Sequence, residues 1–173
     1  MIIDIKEING RSDLVPGNLL GYYRLLSYLA ISFDNCLFID AGTNKGDSAL
    51  ALSVNSSNIV YSFDIEAKCD NDAVHKAQNI RLRIKNFLTV EEGFLAKSNL
   101  IFLDLDPHTG TMEAEIVEKL HSIRYDGILL LDDIYSFKKQ WDKMEGHKHD
   151  VSEFHPETGF GIIDFSNILK IVR

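Results

Sequence analysis

Acidic residues close several apolar runs in this chain, and their spacing suggests a nucleoside site beside a carboxylate cluster. The first run, CLFIDA, leads into Asp40-Ala41-Gly42-Thr43-Asn44-Lys45-Gly46-Asp47-Ser48. Gly42 and Gly46 permit tight turning and close approach of backbone to a ligand. Asp47 or Ser48 can cap a following helix, and Ser48 can bind a ligand carboxylate. The second run ends in Ser62-Phe63-Asp64, which places Asp64 24 positions after Asp40. A carboxylate there can accept both hydroxyl protons of a ribose. Asn86-Phe87 ends a third run, where the amide can hydrogen-bond an adenine and the ring can pack on it. The glycine loop lacks the GxGxxG fingerprint, because Asn44 stands at the second glycine, and a pyrophosphate needs that glycine for close contact. NAD is therefore disfavoured.

A second chemistry is implied further along. Asp104-Leu105-Asp106-Pro107-His108 follows one apolar run and Asp132-Asp133 follows the next. Asp104, Asp132 and Asp133, brought together at neighbouring strand ends, can hold Mg²⁺ through oxygen. Such an ion would lower the pKa of a substrate hydroxyl. The same residues can instead cap a helix and support a loop. His108 is the local candidate for a general base, since imidazole titrates near neutrality. Lys138 and Lys139 follow the acid pair by five or six positions and read as solvated helix charges. With no other basic side chain close in sequence, a divalent cation is the simplest compensation for three carboxylates. His147, His149 and His155 share a polar stretch, yet their spacing matches no closed zinc site and no cysteine is near.

The elements that must position these residues can be read from hydrophobic period. Cys36 to Ala41, Ile59 to Ile65, Ile80 to Phe87, Leu100 to Leu105 and Gly127 to Leu131 are short apolar runs, as expected of strands buried on both faces. Helix candidates lie between them at Asp47 to Val54, Asp70 to Ala77, Val90 to Lys97 and Thr111 to Ile123. An opening helix spans Gly17 to Phe33, after Pro16, with Leu19, Leu20, Tyr23, Leu26, Leu29 and Ala30 at helical spacing. Alternation of strand and helix predicts an α/β fold with a mostly parallel sheet flanked by helices. Gly159 to Phe165 and Ile168 to Arg173, joined by Ser166-Asn167, predict a closing antiparallel hairpin. The stretch from Glu145 to Thr158 reads as a loop at the edge of the active-site face.

These motifs together resemble the class I, Rossmann-like methyltransferases that use S-adenosylmethionine. The likeness covers about Leu19 to Arg173 and is strongest in DAGTNKGDSALAL, YSFDIE, LIFLDLDPHTGTMEAEIVEKL and YDGILLLDDIYSF. It implies that Asp40, Gly42, Thr43, Asn44, Gly46 and Ser48 hold the methionine portion of the cofactor, and that Asp64 holds the ribose. The chain is similar in particular to the macrocin type of sugar O-methyltransferase and, more distantly, to catechol O-methyltransferases. In those families the residues at the positions of Asp104, Asp132 and Asp133 bind Mg²⁺, the catechol enzymes having Asn at the last of them. Pro107 and His108 depart from the macrocin pattern. The implied function is O-methylation of a sugar, a glycan or another small polyhydroxylated acceptor.

Composition bounds the alternatives. The 173 residues contain 18 basic and 26 acidic side chains, a formal charge of −8, and 45% are hydrophobic. One domain over residues 1–173 is expected, with residues 1–35 as a helical segment on the core. The negative charge disfavours nucleic acid. Asp106-Pro107 resembles the acid-proline loop of amino-directed methyltransferases, but the aromatic residue that would stack a base is absent. A cofactor-binding module without catalysis is a further alternative, which the three retained aspartates argue against. Cys36 and Cys69 fit free thiols, the N-terminus lacks a signal-peptide pattern, and no window spans a bilayer, so a cytoplasmic protein without membrane contact is expected. The oligomeric state stays open, a homo-oligomer included.

Overall fold

A computed structural model of the chain describes residues 1–14 and 21–173. Its main sheet is built from β2 (Leu37–Ala41), β3 (Ile59–Asp64), β4 (Ile80–Ile84), β5 (Leu100–Leu103), β6 (Ile128–Asp132), β7 (His147–Asp150) and β8 (Phe160–Asp164). The strands lie in the order β4-β3-β2-β5-β6-β8-β7. The first five run parallel, while β8 lies antiparallel between β6 and β7. A small parallel pair, β1 (Ile2–Asp4) and β9 (Lys170–Val172), joins the two ends of the described chain. The helices are α1 (Ile5–Gly10), α2 (Gly21–Ile31), α3 (Asp47–Leu52), α4 (Asp72–Lys76), α5 (Glu92–Leu95), α6 (Thr111–Ser122) and α7 (Lys138–Lys143). None of the helices among the described residues is long and apolar enough to cross a membrane.

The continuous apolar runs are explained by two cores, one on each face of the sheet. Phe38, Leu100, Phe102, Ile128 and Leu130 point into one core with Leu25, Leu26 and Leu29 of α2. Their neighbours Ile39, Ile101, Leu103, Leu129 and Leu131 point into the other, with Ile116, Val117 and Leu120 of α6. Because side chains alternate along a strand, both parities must be apolar when both faces are covered.

The expected parallel core, the four internal helices and an antiparallel pair near the C-terminus are all present, but the pairing at the C-terminus differs from the sequence expectation. Phe160–Asp164 pairs with His147–Asp150, from the stretch read as a loop, and not with Ile168 to Arg173. The latter pairs instead with Ile2–Asp4. The physical reason is that β7, an edge strand of sequence HKHD, needs no apolar face, so it carries no hydrophobic period. The opening helix is described from Gly21; Pro16, Leu19 and Leu20 lie outside the described residues.

Opposite the glycine loop, an asparagine ties helix to sheet. The side chain of Asn58 is fully buried, donates to the carbonyls of Ala30 and Phe33 (both 2.9 Å) and accepts from the Cys36 amide (2.9 Å). It thus fixes the end of α2 against the start of β2. Asn58→Ala removes the partners of three backbone groups and should destabilise the chain by about 2–4 kcal/mol in denaturant unfolding; a loss below about 1 kcal/mol would show that water replaces those contacts.

Candidate functional site

The strand order turns outward in both directions from β2 and β5, which leaves a crevice beyond their carboxyl ends. Gly42 sits at its base with φ of +103°, and a Cβ there would lie 1.9 Å from the Asp104 carbonyl oxygen. Only glycine lets the end of β2 pass so close to the end of β5. Gly46 is the N-cap of α3 at φ of +85°, and a Cβ on it would meet Val74 at 2.6 Å. Neither Asp47 nor Ser48 caps that helix, in contrast to the sequence expectation, because the glycine itself makes the turn.

Asp40 and Asp64 have different tasks. Asp40 is fully buried, accepts from Ser62 Oγ at 2.5 Å, and its Oδ1 has no partner among the described residues. Burial outweighs the Ser62 bond and pushes its carboxyl up to about 6. Ser62 in turn contacts Thr43 Oγ1 at 2.6 Å. Asp64 is partly exposed; its two oxygens accept from the amides of Asn44 (2.9 Å) and Glu66 (3.1 Å), so it closes the glycine loop while keeping lone pairs toward the crevice.

A cavity of about 270 Å³ opens here, lined in part by Gly42, Asn44, Asp64, Asn86 and Phe87. Five of the nine sequence-selected cofactor residues thus share one cleft, whereas Asp40, Thr43, Gly46 and Ser48 shape the loop without lining it. Asn86 spends its carbonyl on the Leu88 amide at 3.0 Å, and Phe87 is buried against Phe63 with centroids 5.8 Å apart. Phe87 is therefore a wall, not a free stacking face. Ile65, Leu105 and Met112 also line the cleft and were not singled out in the sequence. Ile65 is 66% exposed, the mark of an apolar side chain facing a groove, and its position directly after Asp64 was the available signal.

Beside this cleft lie Asp104, after β5, and Asp132 and Asp133, at the end of β6. Asp104 is raised to about 7 by burial first and by the charge of Asp132 second. Asp132 is raised as well, mainly by burial. The three acids do converge as expected, but two imidazoles meet them, and the lysines do not. His108 Nε2 lies 3.1 Å from Asp133 Oδ2, 3.3 Å from Asp106 Oδ1 and 3.8 Å from Asp104 Oδ1. His155 Nδ1 lies 2.8 Å from Asp132 Oδ1 and 3.0 Å from Thr158 Oγ1. Lys138 is paired one turn along its own helix with Asp142.

His155 reaches the site because β6 and β8 stay zipped beyond the sheet: the amide of Ile134 donates to Gly159 and that of Tyr135 to Thr158. Its ring also lies 4.9 Å from that of Tyr22, which enters from α2. The partner of Asp132 is 23 residues away along the chain, so no local motif could show it. His147 and His149 stay on β7, and the two donor groups able to hold a metal among the described residues, Asp104–His108–Asp133 and Asp132–Asp133–His155, contain neither.

The crevice offers a backbone brought close by Gly42 and the partly exposed carboxylate of Asp64, a setting that fits an adenosyl ligand, while the unpartnered Oδ1 of Asp40 is buried beneath the loop and does not line the cleft. No family model and no curated relative matches the sequence. The fold does match solved structures. One is a Staphylococcus aureus protein described as a caffeoyl-CoA O-methyltransferase, at 14% identity over 91% of this chain and 90% of that one, TM-score 0.62. Another is the TehB-like SAM-dependent methyltransferase of Corynebacterium glutamicum, at 15% identity over 86% and 89%, TM-score 0.57. A third, from Clostridium thermocellum, is described as an rRNA methylase, at 12% identity over 84% and 95%, TM-score 0.56. The chain has the class I, Rossmann-like fold that these methyltransferases share.

Titration calorimetry with S-adenosylmethionine should show saturable binding, and Asp64→Ala should weaken it by about 1–3 kcal/mol. NAD(H) should not bind comparably. Unchanged affinity in the variant would remove Asp64 from the site.

Proposed function

We propose that the chain is an S-adenosylmethionine-dependent O-methyltransferase acting on a hydroxyl of a sugar, a glycan or another small polyhydroxylated acceptor. The observation that carries this reading is the adjacency of the two half-sites: Asp104 and Leu105 border the adenosyl cleft and lead directly into the carboxylate–imidazole cluster. When bound, S-adenosylmethionine supplies a sulfonium methyl group that a hydroxyl oxygen can take by in-line displacement without a covalent enzyme intermediate. The chain's share is then to orient the cofactor, place the acceptor and receive one proton.

His155 is the better placed of the two imidazoles to receive that proton. A carboxylate accepts only, so Nδ1 of His155 carries the hydrogen toward Asp132 and leaves a lone pair on Nε2, whose one hydrogen-bond contact among the described residues is the Thr158 hydroxyl at 3.4 Å. Asp132 then holds the charge that forms on the ring, as a buried acid does behind a catalytic histidine. His108 presents Nε2 to three carboxylates, so in the absence of a cation that nitrogen is the proton-bearing one. This moves the role of base from His108, the candidate nearest in sequence, to a histidine across the sheet. Asp104 and Asp133 would hold a divalent cation, which when bound would polarise the acceptor oxygen as a Lewis acid. Tyr22 and Tyr23 of α2 face the same acids; burial first, and the nearby carboxylates after it, keep Tyr23 protonated up to about 12. They can donate to an acceptor oxygen but do not take its proton.

Amino-directed methylation is the second reading, supported by Asp106-Pro107 and by the likeness to a protein described as an rRNA methylase. The acids around Asp104 oppose a polyanionic acceptor.

Incubation with S-adenosylmethionine and a panel of sugars, glycosides and catechols should yield S-adenosylhomocysteine and an O-methyl product identified by mass spectrometry. His155→Ala should lower kcat by about 10²–10⁴ while leaving S-adenosylmethionine affinity near that of the parent chain. A product methylated on nitrogen, or full turnover without His155, would overturn the assignment.

A further inference from the structure

We propose that Asp104, His108 and Asp133 form a mixed carboxylate–imidazole site for a first-row divalent transition cation, with Asp132 outside the coordination set. This deepens the acceptor side of the function given above and departs from the three-carboxylate Mg²⁺ arrangement implied by family resemblance.

The geometry comes first. One donor atom from each of the three residues lies within 4.8 Å of the other two. Metal–ligand bonds of about 2.1 Å place neighbouring donors about 3.0 Å apart in an octahedron and about 3.4 Å apart in a tetrahedron. The Nε2–oxygen separation of 3.1 Å to Asp133 is close to the octahedral edge and that of 3.8 Å to Asp104 exceeds the tetrahedral edge by about 0.4 Å, so a cation can enter with small side-chain adjustments. Asp132 faces the other centre: its Oδ1 takes both the His155 ring and the Asp133 amide, the latter at 2.9 Å, and it groups with Asp133 and His155, not with His108.

A second observation lies behind the cluster. Glu113, in the first turn of α6, is 2% exposed, and its Oε2 has no hydrogen-bond partner among the described residues. Burial raises it first, the backbone at the start of α6 and the charge of His108 lower it, and the charge of Asp133 raises it, so it senses the cluster from the α6 side without being one of its donors. A buried carboxylate oxygen without a donor is costly. Water carried by a cation in the cluster would supply that donor, as a carboxylate in the second layer of a metal site commonly accepts from the layer within. On binding, Nε2 of His108 releases its proton to solvent and gives its lone pair to the ion. Imidazole nitrogen suits Co²⁺, Fe²⁺ and Zn²⁺, while Mg²⁺ prefers oxygen and retains much of its water.

The test is calorimetric titration of the chelator-treated full chain with CoCl₂ and with MgCl₂, free of S-adenosylmethionine and acceptor, so its outcome is separate from that of methyl transfer. Co²⁺ should bind one site, and His108→Asn should weaken Co²⁺ by about 30-fold or more while changing Mg²⁺ by less than about threefold. The visible absorption of the Co²⁺ complex should change with the same variant. Asp133→Asn should cost as much as His108→Asn, and Asp132→Asn much less. Should His108→Asn melt early, histidine-nitrogen NMR of the parent chain with Zn²⁺ decides: a shift of the His108 Nε2 signal supports the site. Equal losses for Co²⁺ and Mg²⁺, an unshifted His108, stronger dependence on Asp132 than on Asp133, or no divalent binding would each overturn it.

Discussion

The close passage of β2 over β5 at Gly42 is the constraint on which the site depends. The backbone of Gly42 lies where any Cβ would penetrate the Asp104 carbonyl. One contact therefore fixes two loops at once: the glycine turn that would face a cofactor, and the start of the acidic segment beside it. Gly42 and Thr43 both donate to the Phe63 carbonyl, at 2.9 and 3.1 Å, and Asn44 donates to Asp64. The three strand ends are thus stitched together before any ligand arrives. Such preorganisation is what a displacement reaction requires of its catalyst, because a misplacement of about 1 Å can cost about 10²-fold in rate.

A second constraint is electrostatic. Asp104, Asp132 and Asp133 lie close enough that burial and mutual repulsion raise Asp104 to about 7. The fold brings two imidazole rings to these acids from two places, the loop after β5 and the connection between β7 and β8. Each histidine is held to a different acid of the pair, His155 to Asp132 and His108 to Asp133. The adjacent aspartates diverge because Asp133 adopts a left-handed φ of 57°, while its amide turns back onto the Asp132 carboxylate. A pair read in sequence as one motif thereby serves two centres.

How much of this was legible in the sequence follows from how local each signal is. The parallel strands are visible because burial on both faces makes them continuously apolar, and the cofactor loop because Gly42, Gly46 and Asp64 fall at strand ends. The cluster of Asp104, Asp132 and Asp133 is visible for the same reason. Strand β7 is not, since an exposed edge strand of sequence HKHD has no apolar period. The link between His155 and Asp132 is hidden too, being set by the β6–β8 register and not by spacing. Ile2–Asp4 and Lys170–Val172 pair across nearly the whole chain, and three residues are too few to announce a partner.

The central claim is that the cleft beside Gly42 receives an adenosyl ligand whose sulfur end faces the carboxylate–imidazole cluster. Its most direct measurement is an amide NMR titration with S-adenosylhomocysteine, mapped onto the sequence. The expected shifts concentrate at Gly42 to Gly46, at Asp64 and Ile65, and at Asp104 to Asp106. Shifts confined to the β7–β8 edge or to the α6–α7 face, or no shifts at saturating ligand, would contradict it.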